Sequence, residues 1–134
     1  MRLYQKLKEN SVGMYTEIYV NVDLKPDTPD EIINVLRAMC EHDAAAECLK
    51  DKPDRWSYMF CSGSYYTPDT CCANLTFDSN SKRYSLLAKG DIENYNCEIE
   101  RFFEFIRPWC GSYFMGYYRH ESDLEPTLVY CDGE

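Results

Sequence analysis

The stretch CSGSYYTPDTCC, residues 61–72, places three of the chain's eight cysteines beside two tyrosines and a proline. A structural zinc site needs paired thiolates at C-x-x-C or similar spacing, and the chain contains no C-x-x-C. Cys71 and Cys72 are adjacent, so on a strand they would point to opposite faces, and Cys61 would meet one of them only across the loop. We predict packed thiols and no metal site, with a cross-strand disulfide as the open alternative.

Nucleophilic catalysis requires a Ser or Cys beside a base that a third group orients. His42 follows the first predicted helix, where a cation near the C-terminus is favourable, and His120 lies between Arg119 and Glu121. A Cys–His or Ser–His pair with a distant partner stays an alternative. No glycine-rich phosphate loop follows a predicted strand. We therefore predict a non-enzymatic protein with no catalytic residue and no cofactor.

Carboxylates and tyrosines supply the candidate binding residues. Glu121, Asp123 and Glu125 would share one face of an extended strand, where they could imitate the regular charge of a phosphate backbone. Pro126 instead favours a solvated acidic loop, and the sequence leaves both alternatives open. Tyrosines offer rigid contact surface at low entropic cost. The predicted partner-binding residues are Tyr65, Tyr66, Tyr117, Arg119, Glu121, Asp123 and Glu125.

Composition indicates one small acidic domain. A chain of 134 residues suits a single core. Its net charge of −9 disfavours direct binding to nucleic acid or anionic lipid and favours a basic partner. No apolar run is long enough for a membrane span and the N-terminus lacks a signal-peptide pattern, so we predict a cytoplasmic protein. Residues 1–14 are predicted to form an N-terminal arm, and residues 15–134 a single α+β domain.

Apolar periodicity predicts two helices among six strands. DTPDEI predicts a helix start with Thr28 as N-cap and Glu31 completing a capping box, and CEIERFFEFIRP predicts a second helix that Pro108 ends. Strands are predicted in TEIYVNVDL, WSYMFCSGS, CCANLTFDS, KRYSLLAKGDI, SYFMGYYRH and PTLVYC. The order β-α-β-β-β-α-β-β predicts an α+β domain with both helices on one face of a mostly antiparallel sheet. The other face, rich in tyrosine, is left for water or a partner.

Three segments resemble a group of small acidic proteins from bacterial and phage genomes that have no assigned activity. They are DLKPDTPDEIINVLR, WSYMF with the following SYY, and GYYRHESDLEPTLVY, and the likeness spans residues 15–130. The resemblance rests mostly on turn and helix-cap residues. It implies an α+β domain in a mobile-element setting, and it transfers no catalytic residue.

Together these features predict binding rather than catalysis. A tyrosine-lined sheet face with an acidic rim would dock on a basic bacterial protein. The mobile-element resemblance implies an inhibitor of a defence nuclease that occupies its nucleic-acid surface. Two alternatives stay open: a toxin-neutralising immunity protein, and a nucleotide-binding sponge or small enzyme that would use Arg55, Arg119 and His120 between the subunits of a homodimer.

Overall fold

The structure, a computed structural model, describes residues 14–61, 64 and 71–132. Within these residues the chain forms two α-helices and a five-stranded sheet, and neither helix has the length and apolar character to cross a membrane. In chain order the elements are β1 (Thr16–Asp23), α1 (Asp30–Cys40), β2 (Cys72–Asp78), β3 (Arg83–Ile92), α2 (Glu98–Ile106), β4 (Phe114–His120) and β5 (Thr127–Tyr130). The short 3₁₀ segments Glu47–Leu49, Asp54–Tyr58 and Arg107–Trp109 lie between them.

All neighbouring strands of the sheet are antiparallel, in the order β2-β3-β1-β4-β5. The α+β class is therefore confirmed, but the sheet of the described residues has five strands where six were predicted. The described residues of WSYMFCSGS, which are 56–61 and 64, do not form the expected second strand. The first of these residues belong to the 3₁₀ segment Asp54–Tyr58, and the chain continues as a turn to Cys61.

Trp56 explains why this segment turns instead of extending. Its Nε1 donates a hydrogen bond of 3.0 Å to the carbonyl oxygen of Glu98, and its ring packs edge-on against Phe102. Met59 and Phe60 are buried together with Trp56. On a strand Met59 would point away from the other two, whereas spacing of three and four residues keeps all three on one side of a helical turn.

α1 begins one residue later than the sequence predicts. Pro29 occupies the N-cap position with a ψ of 149°, and the Thr28 hydroxyl donates a 2.6 Å hydrogen bond to the Lys25 carbonyl oxygen. The predicted capping box is therefore wrong, because the extended Pro29 moves Thr28 out of reach of the first helical N–H groups. The apolar residues at helical spacing along α1 face the core, since they are buried or half-buried: Ile32, Val35, Leu36, Met39 and Cys40.

α2 matches its prediction closely. Asn94 supports its first turn, because the side-chain oxygen accepts a 2.9 Å hydrogen bond from the N–H of Ile99. Pro108 lies in the 3₁₀ segment that follows the helix, where its ring is compatible with the end of α-helical hydrogen bonding. The apolar residues at helical spacing along α2 are all buried: Ile99, Phe102, Phe103 and Ile106.

A single hydrophobic core lies on one face of the sheet. Ile18, Val20 and Val22 of β1 are buried, while the residues between them point to the other face. The buried side chains of α1, α2 and residues 54–61, which we call the Trp56 segment, join the same cluster. Both helices therefore cover this face, as the sequence predicts.

Gly90 lets the Trp56 segment press directly against β3. A Cβ atom at position 90 would overlap the carbonyl oxygen of Met59. We expect Gly90→Ala to lower the free energy of unfolding by about 1–3 kcal/mol, the cost of overpacking a tight core. Urea denaturation measures the change. Gly111→Ala is the control with a smaller expected loss, because its nearest neighbour would lie 3.2 Å from the new Cβ; equal losses would contradict the proposed close approach.

An ion pair between Arg55 and Glu98 also joins the Trp56 segment to α2. The buried carboxylate of Glu98 accepts a 2.8 Å hydrogen bond from Arg55. Burial by itself raises the pKa of the Glu98 carboxyl, but hydrogen bonds from Arg55 and the Asn96 N–H outweigh burial, so the pKa lies below its ordinary 4.5. A lowered pKa in the folded state stabilises the protein above pH 4.5, and this stability is lost as the pH falls through the folded value.

Glu98→Gln is therefore expected to make the free energy of unfolding less steeply dependent on pH below pH 4.5. Urea denaturation across the acid range measures that slope. Trp56→Phe is the contrast: it keeps the ion pair but removes the indole hydrogen bond, so it should cost about 1 kcal/mol at every pH without changing the slope. If the free energy of unfolding fell with the same slope below pH 4.5 in wild type and in Glu98→Gln, this role of Glu98 would be contradicted.

Candidate functional site

The candidate functional site is the sheet face opposite the helices. The alternation of each strand sends its polar and aromatic side chains to this side, and neither described helix covers them. We call this surface the open face and define it by Glu17, Tyr19 and Asn21 of β1, Asn74 of β2, Leu87 and Lys89 of β3, Tyr117 and Arg119 of β4, and Leu128 of β5.

An aromatic and aliphatic strip crosses the open face. Tyr19 and Tyr117 are register partners, and their rings stack with centroids 5.3 Å apart at 25°. Leu128 pairs with Tyr117 on one side and is 51% exposed. On the other side Leu87 is 41% exposed beside Asn21, whose amide donates to the Tyr19 hydroxyl at 3.1 Å. Four of the five strands thus contribute to one strip, in which the leucines are exposed and the tyrosines are half-buried.

Glu17 organises the charges beside this strip. It is only 7% exposed, and its carboxylate lies 3.7 Å from the Lys89 ammonium and 4.0 Å from the Arg119 guanidinium. The Tyr117 hydroxyl also donates to it at 3.3 Å. Desolvation, followed by the negative charge of Glu17, raises the pKa of the Tyr117 phenol. The phenol therefore stays protonated as a donor, and Glu17 offsets part of the positive charge of Lys89 and Arg119.

The end of the open face next to Glu17 is closed by Ser64. Asp91 pairs with Glu17 in the strand register and is fully buried. Its Oδ2 accepts hydrogen bonds from the Ser64 hydroxyl at 2.7 Å and from the Ser64 N–H at 3.3 Å. Ser64 thereby fixes one point of the chain between the Trp56 segment and β2 against the sheet.

The structure brings together only some of the predicted partner-binding residues. Tyr117 and Arg119 lie on the open face, around Glu17. Tyr65 and Tyr66 lie outside the described residues. The sequence reasoning did not nominate Glu17, Lys89, Leu87 or Leu128, although the alternation of TEIYVNVDL already separated Glu17 and Tyr19 from the core. The missing information was which strands are neighbours.

Glu121, Asp123 and Glu125 lie in the turns between β4 and β5. These carboxylates therefore form an acidic loop, and they do not form an extended row on a strand. The Glu121 carboxylate accepts a 2.8 Å hydrogen bond from the Tyr15 N–H, and Asp123 accepts one of 3.2 Å from the N–H of His120. Two of the three carboxylates thus hold the loop in shape. A regular imitation of phosphate spacing does not follow from this geometry.

His120 does meet a hydroxyl, but within its own turn. Its Nδ1 lies 2.6 Å from the Ser122 Oγ and also accepts a 3.1 Å hydrogen bond from the Ser122 N–H. The contact spans two residues of one loop and closes that loop. The other predicted ligand-binding cations are likewise held by the fold, since Arg55 binds Glu98 and Arg119 binds Glu17.

The eight cysteines form no disulfide. Burial, reinforced by Glu41, raises the pKa of the Cys40 thiol to about 11, and burial also raises the pKa of Cys61, Cys71 and Cys131. Thiols with raised pKa values are protonated at neutral pH and are weak nucleophiles. Among the described residues, no group of three or more His, Cys, Asp or Glu side chains is placed to hold a metal ion.

No family profile, curated protein or solved structure matches this chain. The resemblance to phage and bacterial proteins therefore stays a prediction, and the open face stands on its geometry alone.

Glu17→Gln tests whether this carboxylate holds the open face together. The change leaves Lys89 and Arg119 without their shared counter-charge, so the free energy of unfolding should fall by about 1–3 kcal/mol. Glu125→Gln is the matched control on an exposed loop residue and should change it by less than about 0.5 kcal/mol. Urea denaturation measures both. Equal effects would mean that the Glu17 contacts add no stability.

Proposed function

We propose that this chain is a non-enzymatic protein-binding domain whose open face docks on a basic protein. The observation that carries the proposal is the strip across four neighbouring strands in which the exposed Leu87 and Leu128 flank the half-buried, stacked Tyr19 and Tyr117. Soluble proteins usually leave large contiguous apolar surface exposed only where something binds it.

The make-up of the strip suits a protein partner. Stacked tyrosines lose little conformational freedom on binding and offer both an apolar ring and a polar hydroxyl. Tyr19 and Tyr117 are already stacked, so their order need not be created by the partner. The flanking leucines would add apolar area around this centre, which is the arrangement of an interface hot spot with a surrounding seal.

Electrostatics favour a basic partner. The chain carries a net charge of −9. Glu17 offsets one of the two positive charges that Lys89 and Arg119 place on the open face, so the excess that remains there is small beside the net charge of the chain. Exposed carboxylates flank the face at both ends, with Asp23 at the end of β1 and Asp123 in the loop after β4. Such a field speeds encounter with a basic surface, and salt weakens the effect.

The partner class that we propose is a bacterial nuclease, bound at its nucleic-acid surface. A basic patch is the electrostatic footprint of a nucleic-acid site, and a domain that covers such a site excludes the nucleic acid. The resemblance to phage and bacterial proteins supports a defence nuclease as the target. The acidic loop contributes long-range attraction in this proposal, without a phosphate-like repeat.

Affinity capture from a bacterial lysate tests the proposal with matched leucine variants. Leu87→Ser combined with Leu128→Ser removes the exposed aliphatic flanks of the strip. Leu124→Ser is the control, because Leu124 is also exposed but lies in the loop between β4 and β5. We expect wild type and control to retain the same basic protein and the double variant to bind it at least about tenfold more weakly.

Salt supplies the second readout in the same experiment. Raising ionic strength should weaken capture of the basic partner, because the attraction between exposed charges is screened. Retention that is equal for all variants, or a partner that is acidic and insensitive to salt, would refute docking through the open face. Inhibition of a captured nuclease by wild type, and its loss in the double variant, would identify the consequence of binding.

A further inference from the structure

β2 is an edge strand with few of the features that usually protect a sheet edge. Its seven residues, CANLTFD, contain no Pro, Gly or Lys, and they pair with β3 in one unbroken register. The other edge, β5, is better protected. It has four residues, its pairing with β4 is irregular, and the Arg107 guanidinium donates to the outward Tyr130 carbonyl oxygen. Natural sheets normally block long edges because such edges recruit further strands.

The register identifies which backbone groups of β2 face outward. The Leu24 N–H donates to the Tyr84 carbonyl oxygen, so Tyr84 directs its backbone groups toward β1. Alternation along β3 then directs Ser85 and Leu87 toward β2, where they face Thr76 and Asn74. The intervening residues of β2 therefore direct their N–H and C=O groups away from the sheet. These residues are Ala73, Leu75 and Phe77, and within the described part of the chain nothing pairs with their backbone groups.

The side chains of β2 complement a second, antiparallel copy of the same strand. With Leu75 opposite Leu75 of that copy, Ala73 stands opposite Phe77 and Asn74 stands opposite Thr76. This register places a small side chain opposite a large one on the core face of the sheet, and a polar side chain opposite a polar one on the other face. It also pairs all the outward backbone groups of Ala73, Leu75 and Phe77, since residues with outward groups then face one another.

The same register places Phe77 of one copy at a groove beside β2 of the other copy. Phe77 is 51% exposed, although it lies on the face that packs under the helices. A groove of about 260 Å³ lies between α1 and β2, lined by Arg37, Cys40 and Ala73 among others. In the antiparallel pairing, Phe77 of the second copy stands opposite Ala73, at this groove. The Arg37 guanidinium, already over the Tyr84 ring at 5.8 Å, borders the same groove and offers a cation–π contact.

We propose that two copies of this chain associate through β2, with a two-fold axis at Leu75, to form one continuous sheet. Each Phe77 fills the groove between α1 and β2 of the other copy, and the edge becomes an interior pair of strands. The surface is distinct from the open face, so a dimer presents two open faces side by side. A single isologous contact closes the assembly at two chains.

Salt distinguishes this association from docking on a basic protein. Each copy carries a net charge of −9, so the copies repel at long range. Screening that repulsion should strengthen the dimer as ionic strength rises, whereas it should weaken docking of a basic partner. The two surfaces therefore respond to salt in opposite directions.

Sedimentation velocity of the full chain over a range of concentrations and salt tests the proposal. We expect a monomer–dimer equilibrium in wild type that shifts toward dimer with salt. Phe77→Glu should raise the dissociation constant about tenfold or more, because it removes the aromatic contact and places a carboxylate at the groove. Leu124→Glu is the matched control, since it makes the same charge change at an exposed leucine away from β2.

Ala73→Pro is the second variant, and it acts on the backbone. It removes one outward N–H per copy without removing a hydrogen bond to β3, so the fold should persist by circular dichroism while the dimer weakens. Amide exchange adds a residue-level readout: the N–H groups of Leu75 and Phe77 should gain protection as concentration rises, and those of Asn74 and Thr76 should be protected throughout.

A wild type that stays monomeric at millimolar concentration in high salt would overturn the proposal. So would a dimer that neither Phe77→Glu nor Ala73→Pro weakens, because it would use another surface. The double variant Leu87→Ser, Leu128→Ser should dimerise normally. Loss of capture in that variant alongside intact dimerisation separates the two surfaces.

Discussion

The contact between the Trp56 segment and the start of α2 is the constraint on which the rest of this structure depends. One indole hydrogen bond and one buried ion pair join a 3₁₀ turn to the first residue of a helix that is far away in sequence. That contact places Met59 against Gly90 of β3 and Phe60 against Phe102 of α2. The turn therefore fills the space between helix and sheet that a sixth strand could not fill.

Because the helices form a single layer, the polar and aromatic side chains of the sheet lie on the face that this layer leaves uncovered. Since α1, α2 and the Trp56 segment all pack on one face, the residues that alternate with the core on β1, β3 and β4 must stand on the other. The fold satisfies the charges there locally, with Glu17 between Lys89 and Arg119, and leaves the tyrosine and leucine surface accessible. A face whose centre holds stacked tyrosines flanked by exposed leucines is typical of a contact surface.

The acidic character of the chain acts at a different range from its contact surfaces. Net charge sets how copies and partners approach one another over roughly a Debye length, about 8–10 Å. The stacked tyrosines and the open edge of β2 act only on contact. A protein that combines a high net charge with such surfaces can repel a second copy of itself at low ionic strength while it attracts a basic partner.

Helical and strand periodicity in the sequence determined the α+β class, the buried stripe of α2 and the separation of Tyr19 from Ile18 and Val20. These features depend on neighbours within one element, which the order of residues already specifies. Short-range reasoning failed where two local rules competed. Trp56, Met59 and Phe60 carry strand-forming side chains at helical spacing, and Thr28 competes with Pro29 for the start of α1. Only the tertiary structure decided the first of these, because Glu98 and Gly90 receive the Trp56 segment from distant parts of the chain. It alone also brought Glu17, Lys89 and Arg119 together, since they lie on three strands whose order in the sheet no local pattern encodes.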